Sequence, residues 1–164
     1  MPITDRTALG KSSLKRDWFA DINTGTYEAP VWVPINGIKT INPRFTQFRA
    51  DVRTSDNNGY GNSQPTGADW ALDLELERGF NSDGEYDPAQ EAIRLAVQDP
   101  TVDDRMDIRF FQNLPGKPGY GEAYRGYASP SWEPIDGDDR ATDKIRVAFE
   151  GQGERFAIDH PGAP

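Results

Sequence analysis

The first apolar pattern in the chain is a pair of short alternating runs separated by a turn-rich bridge. The runs cover residues 17–26 and 31–38, and residues 27–30 connect them. Alternation of apolar and polar side chains is typical of half-buried strands, and two such runs around a short connection predict a β-hairpin. Neither run carries residues that suggest reaction chemistry.

The clearest single strand lies further along, over residues 70–77. Its side chains alternate strictly, so that one face is apolar and the other is mostly acidic. We expect the apolar face to enter a core and the acidic face to meet water or basic groups on a neighbouring strand. The apolar face consists of Trp70, Leu72, Leu74 and Leu76, and the opposite face of Ala71, Asp73, Glu75 and Glu77.

A helix is predicted over residues 87–98. Asp87 is a good N-cap, Pro88 suits the first helical position, and Gln90 completes a capping-box-like pair. One apolar stripe at helical spacing predicts packing against a sheet, and Asp99-Pro100 ends the helix. The stripe consists of Ala89, Ala92, Ile93, Ala96 and Val97.

The remaining apolar runs are also strand-like, so the predicted fold is mainly β. We expect an antiparallel β-sandwich or half-barrel of about seven to eight strands, with one short α-helix packed on the sheet. Uncovered edges of such a sheet can pair with other chains. The additional strands are predicted over residues 41–52, 106–111, 120–128, 144–150 and 155–158.

The predicted domain organisation is a single domain with a segment at each end. Residues 17–159 form the domain, residues 1–16 are polar and basic and are predicted to be an N-terminal arm, and residues 160–164 form a C-terminal tail. Within the domain, residues 53–67 read as a long polar loop whose only large apolar group is Tyr60. Because a long loop inside a compact domain is usually functional or disordered, we expect a functional role.

Composition narrows the classes of protein. The 164 residues carry a formal net charge of −9 and no cysteine, which argues against generic phosphate binding and excludes disulfides and thiolate metal sites. No apolar run approaches the ~20 residues needed to span a bilayer, so no membrane span is expected. The first residues lack the apolar core of a signal peptide.

Candidate chemistry is weak throughout, and the chain is not expected to be an enzyme. His160, the only histidine, lies in the terminal tail, where a general base is not expected. Residues 81–87 and 136–139 are acidic turns, but their spacing does not match a calcium loop. The glycine-rich segment 116–121 lacks the context of a phosphate loop. No catalytic residue, metal site or cofactor is therefore predicted.

The residues do carry a resemblance. Residues 17–25, the segment 31–38 and Ile41-Asn42-Pro43 resemble the start of the major tail proteins, or tail tube proteins, of long-tailed bacteriophages. The later order is similar too: a loop, a tryptophan-containing strand, a central helix, a Gly/Tyr-rich strand with Ser131-Trp132-Glu133-Pro134, and a closing strand that ends in Phe149-Glu150-Gly151-Gln152-Gly153. The resemblance covers roughly residues 16–160 in element order.

This resemblance implies a structural protein of the virion, assembled in the host cytoplasm. Subunits of such tails form hexameric rings that stack into a tube around a tape-measure protein, alongside other tail proteins. Viral DNA later passes through the lumen without specific binding. The resemblance makes the terminal segments 1–16 and 160–164 candidate arms, and one acidic strand face, Asp73, Glu75 and Glu77, a candidate for the lumen or for contact between subunits. The candidate inter-ring loop consists of Ser55, Asp56, Asn57, Asn58, Tyr60, Asn62 and Gln64.

Other functions remain open at this point. A related tube from a contractile injection machine or a gene-transfer particle would share these features. A carbohydrate-binding β-sandwich module or a virion decoration protein is the second class, in which Tyr120, Tyr124 and Tyr127 would form a sugar platform. A hydrolase with two catalytic carboxylates is a distant third.

Overall fold

In the computed structural model, one curved antiparallel sheet and one helix form the fold. Residue 14 and residues 17–99, 101–117 and 119–163 are described. The strand order across the sheet is β2-β1-β5-β6-β8-β4-β3, with β7 paired to β8 and β9 paired to β6. The elements are β1 Trp18–Asn23, β2 Trp32–Pro34, β3 Ile38–Asp51, β4 Ser63–Glu77, α1 Pro88–Gln98, β5 Met106–Gln112, β6 Ala123–Pro130, β7 Glu133–Ile135, β8 Lys144–Gly151 and β9 Phe156–Ala157.

The predicted fold class is confirmed: the described part of the chain is mainly β, and the sheet curls without closing into a barrel. The outermost strands of the path are β2 and β3, which do not pair with each other. The sequence did not predict β7, because Glu133-Pro134-Ile135 is too short to show an alternating pattern.

The core lies on one face of this sheet, under α1. Alternate side chains of the strands point into it, which is the direct result of the period-two pattern in the sequence. From the helix, Ala89 and Ile93 are fully buried against the sheet. The strands contribute Leu72, Leu74, Leu76, Ile145, Val147, Phe149, Ile108, Phe110, Ala20 and Ile22.

Trp70 occupies the edge of the core. Its indole Nε1 donates to the carbonyl oxygen of Gly153 at 2.8 Å, and its ring stacks on Phe110 with centroids 5.9 Å apart. Gly126 and Gly151 lie against the indole so closely that neither position has room for a Cβ. The two glycines are therefore there to admit the indole, which is a packing requirement rather than a bulge.

The first hairpin and the helix are where the sequence predicts them. Strands β1 and β2 pair antiparallel, and α1 begins after Asp87, whose Oδ1 accepts from the backbone N–H of Gln90 at 3.1 Å. The capping-box expectation for the Gln90 side chain is wrong. Its Nε2 instead donates to the carbonyl oxygens of Asn36, at 2.8 Å, and Glu77, at 3.1 Å. The glutamine thereby ties the helix to the sheet rather than closing its own first turn.

The predicted loop over residues 53–67 is shorter in the structure. Strand β4 begins at Ser63, which pairs with Asp51 of β3, so the connection spans only residues 52–62. The sequence predicts a loop for the polar segment Ser63-Gln64-Pro65-Thr66-Gly67, because a strand is recognised by an alternating pattern that buries one face. Here β3 and β4 project as a two-stranded ribbon exposed on both faces, so neither face needs apolar residues. We call residues 44–69 the arm.

The terminal segments differ from the expectation in one respect. The predicted N-terminal arm, residues 1–16, is a different segment from the arm at residues 44–69. Apart from residue 14, it lies outside the described residues. At the other end, His160 is buried rather than frayed: its Nε2 lies 3.1 Å from the carbonyl oxygen of Gln112, and its ring packs edge-on against Phe111. The tail therefore folds back on β5, because the imidazole finds both a hydrogen-bond acceptor and an aromatic partner there.

The close packing of Trp70 generates a stability prediction. A Cβ at Gly126 would lie 2.6 Å from Cζ2 of Trp70, so Gly126→Ala should lower the free energy of unfolding by about 1–3 kcal/mol through overpacking. Urea denaturation followed by tryptophan fluorescence measures this. Gly61→Ala, at a position with open space around it, is the control and should leave the midpoint unchanged. Equal midpoints for both variants would contradict the packing role.

Candidate assembly surfaces

The arm is the first candidate surface. Its loop contains a 3-10 turn at Ser55–Asn57 and a left-handed pair, Asn58 at φ 50° and Gly59 at φ 81°, which turn the chain back. The Tyr60 side chain is 78% exposed at the tip. Further exposed apolar side chains along the ribbon are Phe45, Phe48 and Val52. A protruding ribbon with unburied aromatic groups has the properties of a contact surface for another molecule.

The candidate loop residues therefore divide between the tip and the ribbon. Residues 55–60 lie at the tip of the ribbon. The Asn62 carbonyl oxygen accepts from the backbone N–H of Val52 at 3.0 Å, and Gln64 pairs with Ala50 inside the ribbon. Asn62 and Gln64 thus belong to the backbone hydrogen-bond ladder of the ribbon and not to its tip.

The arm has no hydrophobic core, and its side chains make polar contacts within β3 and across to β4. The Arg49 Nε donates to the hydroxyl of Ser63 at 2.9 Å and the Arg49 Nη1 to the side-chain oxygen of Gln47 at 3.1 Å. Arg53 pairs with Asp51, both more than half exposed. The hydrogen bond from Arg53 holds the pKa of the Asp51 carboxyl below its usual value. Exposed pairs of this kind contribute little to stability, so the ribbon depends on its backbone ladder.

The acidic strand face is the second candidate surface. Asp73, Glu75 and Glu77 are half-buried on the face of the sheet that points away from the core. Each one lies beside a cation on a neighbouring strand, because β3 and β8 flank β4 and carry basic residues that reach the carboxylates diagonally. The pairs are Arg44–Asp73 at 2.5 Å, Lys144–Glu75 at 3.9 Å, and Lys39–Glu77. The surface is consequently mixed in charge rather than purely acidic.

The hydrogen bonds on this face also shift the pKa values of Glu77 and Arg44. The ammonium of Lys39 bonds to the Glu77 carboxylate and holds its pKa below the usual value for glutamate. The hydrogen bond to Asp73 raises the pKa of Arg44. All three carboxylates therefore have a cationic partner within the subunit.

A second set of ion pairs lies on the same outward side, across β1, β5 and β6. Arg125 Nη2 lies 2.6 Å from Asp107 Oδ2, and Arg109 Nη2 lies 2.7 Å from Asp21 Oδ2; both carboxylates are buried. The hydrogen bond that Arg125 donates to the Asp107 carboxylate raises the pKa of Arg125. The guanidinium of Arg125 also stacks 3.9 Å above the ring of Tyr27. The alternation of Asp107 and Arg109 with the apolar residues of their strand does not by itself indicate this cluster, because the partners Asp21 and Arg125 lie on other strands.

The open edges of the sheet are the third candidate surface. Strand β3 is 14 residues long and pairs with β4 on one side only, and β2 is a three-residue strand at the opposite end of the sheet. Within the described residues, no strand covers the outer side of β3. An edge of this length presents a row of backbone donors and acceptors that another strand can satisfy.

The tyrosines do not form a sugar platform. Tyr124 packs into the core side against Phe110, with centroids 5.5 Å apart, whereas Tyr127 points to the other face and stacks on Tyr27. Tyr120 lies apart, on the loop between β5 and β6 near Lys117. The structure thus disperses the three rings to different sides of the sheet.

The acidic turns are stabilised by their own backbone contacts. The Oδ1 atom of Asn81 accepts from the backbone N–H groups of Asp83 and Glu85, and Oδ1 of Asp138 accepts from that of Arg140. Such bonds are characteristic of turns. In the part of the chain that the structure describes, no three His, Asp or Glu side chains converge as metal ligands. Nor does that part contain a helix with the length and hydropathy of a membrane span.

Three solved structures with the same fold are parts of tails or of related particles. The SPP1 tail tube matches with a TM-score of 0.66 and 13% identity, over 90% of this chain and 80% of that chain. A chain from the tail of the empty gene transfer agent particle matches at 0.61 and 13%, over 90% and 99%. One from the anti-feeding prophage baseplate matches at 0.59 and 11%, over 95% and 99%.

No protein-family model matches the sequence, and no curated protein matches it either. The likeness is therefore one of structure, and it shows the fold. The chain has the fold of the SPP1 tail tube subunit, and the fold implied by the sequence resemblance is confirmed.

The buried ion pairs generate a second stability prediction. Asp107→Asn should lower the free energy of unfolding by about 3 kcal/mol, because it leaves the Arg125 guanidinium without its counter-charge. Thermal and urea unfolding of the purified variant measure the loss. Asp103→Asn removes an equally short pair, Arg105–Asp103, whose side chains are both 57% exposed, and it should leave stability unchanged. A neutral result for Asp107→Asn would contradict a structural role for the cluster.

Proposed function

We propose that this protein is a structural, non-enzymatic subunit of a phage tail tube, polymerised as stacked hexameric rings and located in the virion. The observation that carries the proposal is the open sheet whose long edge strand, β3, has no partner on its outer side among the described residues, in a fold shared with the SPP1 tail tube. A subunit with such a sheet gains backbone hydrogen bonds only by meeting another chain. The dispersed tyrosines and self-satisfied acidic turns favour this role over sugar binding.

Rings form, in this proposal, when the outer edge of β3 in one subunit continues the sheet of its neighbour. Strand β2 lies at the other end of the same sheet, so each copy offers one edge of each kind. Contacts between unlike surfaces are head-to-tail, and they close into a ring when the rotation between copies divides a full turn. Two of the matched structures are described as six-fold symmetrised or as having C6 symmetry, which supports a hexamer.

The outward sheet face that carries Asp73, Glu75 and Glu77 would line the lumen. Its carboxylates alternate with Arg44, Lys39 and Lys144, so the surface offers DNA neither a continuous basic track nor a large net charge. DNA binding without sequence specificity depends on basic groups that replace the counterions of the phosphates. The basic groups of this surface are already paired with carboxylates, and the genome would pass without adhering.

The arm would bridge successive rings, with the tape-measure protein inside the tube and other tail proteins at its ends. The arm projects beyond the core and is exposed on both faces within the subunit. A related tube, of a gene-transfer particle or a contractile injection machine, is the second candidate, since chains of the gene transfer agent tail and the anti-feeding prophage baseplate also share the fold.

Electron microscopy and light scattering of the purified protein, at rising protein concentration and salt, test the proposal. Stacked rings or hollow tubes are the expected result. Glycan-array binding by a protein that stays monomeric at every concentration, and also in the presence of partner tail proteins, would contradict the proposal.

Shortening the arm separates ring formation from stacking. Replacing residues 54–60 with an Asn-Gly turn keeps the Val52–Asn62 pairing and removes only the tip. We expect a folded subunit that still forms rings but no longer stacks them, seen as single rings by electron microscopy. The matched control exchanges loop residues 115–117, at a distance from the arm tip in sequence and fold, for Asn-Gly-Asn. Unchanged tube length in the shortened-arm variant would refute the bridging role.

A further inference from the structure

The helix α1 lies at the end of the core opposite the arm, and the arm end is open. The Gln90 side chain ties α1 to the backbone at Asn36 and Glu77, where β4 ends. At the arm end, two adjoining cavities of about 500 Å³ and about 240 Å³ open among residues of β1, β3, β4 and β6 and the segment after β8. The two cavities share Phe45 and Arg155, and we call them together the arm-end groove.

Aromatic side chains form the walls of the arm-end groove. Trp18 and Tyr124 line the smaller cavity, Trp70 lines the larger one, and Phe45 lines both. Phe45 is 55% exposed. The guanidinium of Arg155 stacks on Phe45 and Tyr124, 4.4 Å and 4.1 Å from the two ring centroids. An exposed phenylalanine inside an aromatic groove is apolar surface that another apolar side chain can bury.

The groove also carries carboxylates without partners. Asp69 and Glu154 line the larger cavity, and Glu122 lines the smaller one. None of these three carboxylates makes an ion pair or a hydrogen bond with another described residue. The arginines of the groove leave them free, because Arg44 pairs with a carboxylate of β4 and Arg155 stacks on aromatic rings. The groove therefore suits an occupant that has both basic and apolar side chains.

The N-terminal segment, residues 1–16, has this composition. It contains four basic residues and one acidic residue, so its formal net charge is +3 in a chain whose total is −9. Its large aliphatic side chains, Ile3, Leu9 and Leu14, are distributed among the basic ones. The segment thus complements the groove in charge and in apolar surface. The basic residues are Arg6, Lys11, Lys15 and Arg16.

The segment joins the domain at the groove itself. Trp18, the first residue of β1, lines the smaller cavity. Just before it, the backbone N–H of Leu14 donates to Oδ2 of Asp17 at 2.8 Å, and the backbone N–H of Asp17 donates to the carbonyl oxygen of Leu14 at 3.0 Å. The thirteen residues before Leu14 reach about 43 Å when extended, which is more than either cavity requires. A short tether gives a high effective concentration at the groove, so docking within one subunit is preferred over docking between copies.

We infer that the arm-end groove is the docking site of the N-terminal segment of the same subunit. The aliphatic side chains of the segment cover the aromatic walls, Phe45 above all, and its basic side chains lie beside the three free carboxylates. Docking braces the base of the arm, which otherwise depends on its backbone ladder. It is a property of a single subunit, so it goes beyond the proposed function and does not depend on tube formation.

Intramolecular cross-linking in the cysteine-free chain tests the placement. One variant carries Thr7→Cys with Ala68→Cys, on the wall of the larger cavity. The control carries Thr7→Cys with Thr46→Cys, next to Phe45 but on the opposite face of the strand; both wall positions are exposed. A short bismaleimide is added to dilute protein, and intramolecular product is measured by mass spectrometry. We expect about fivefold more product with Ala68→Cys. Equal yields, or a preference for Thr46→Cys, would overturn the inference.

Protection from trypsin is the second readout. Phe45→Ala removes the exposed aromatic wall, so cleavage after Arg6 and Lys11 should become about fivefold faster than in the unaltered protein, because trypsin cuts the undocked segment. Phe48→Ala, at a phenylalanine that is 46% exposed on the opposite face of the arm, is the matched control and should leave the rate unchanged. The urea midpoint of each variant confirms that the domain is folded. Equal cleavage rates in all three proteins would contradict docking on Phe45.

The outcomes separate docking from the proposed function. A dilute subunit that shows the Ala68→Cys preference but never assembles would support docking and count against the tube. Rings or tubes with equal cross-linking yields would overturn docking and leave the tube. A dimer cross-linked between chains, as the main product of the Thr7→Cys and Ala68→Cys double variant, would place the segment on a second copy and overturn docking within the subunit.

Discussion

The pairing of β4 with both of its neighbours is the interaction on which the rest of the structure depends. The first seven residues of this strand are exposed and pair with β3 in the arm, while the remainder contributes alternate leucines to the core. Trp70 lies where the exposed part of β4 meets the buried part. A hydrogen bond to the carbonyl oxygen of Gly153 holds its indole, and two glycines leave room for the ring. A rigid core strand thereby carries a ribbon that has no core of its own.

The charged side chains are also arranged along the length of β4. Near the middle of β4, carboxylates are matched one by one with cations from β3 and β8, and the Asp107–Arg125 and Asp21–Arg109 pairs continue this matching across the sheet. At the far end of β4, in residues 78–87 and 136–143, seven carboxylates outnumber two arginines. A net charge of −9 therefore describes a molecule with a balanced sheet face and an acidic end, which a sequence total cannot reveal.

The sequence predicted those elements in which one face is buried. The strand with Trp70 and three leucines, the first hairpin and the helix after Asp87 each have a periodic apolar pattern, and the structure places each one there. The arm could not be predicted because a ribbon exposed on both faces has no such pattern. Gln90 shows a second limit: its position fits a capping box, but a tertiary contact with Asn36 and Glu77 takes the side chain instead.

The candidate surfaces follow the same division. Alternation predicted that Asp73, Glu75 and Glu77 share a face, yet only the register of β3 and β8 reveals their cations. The loop residues at the arm tip were recognisable from their polar, glycine-rich composition. The uncovered edge of β3 and the arm-end groove depend on strand order and on contacts between distant segments, so no local pattern could have indicated them.

Helical reconstruction of the assembled protein by cryo-electron microscopy tests the central claim most directly. The account predicts rings in which the outer edge of β3 is hydrogen-bonded to a strand of the adjacent subunit, so that one sheet runs around the lumen. Subunits that touch only through side chains, with the edge of β3 facing solvent, would contradict it.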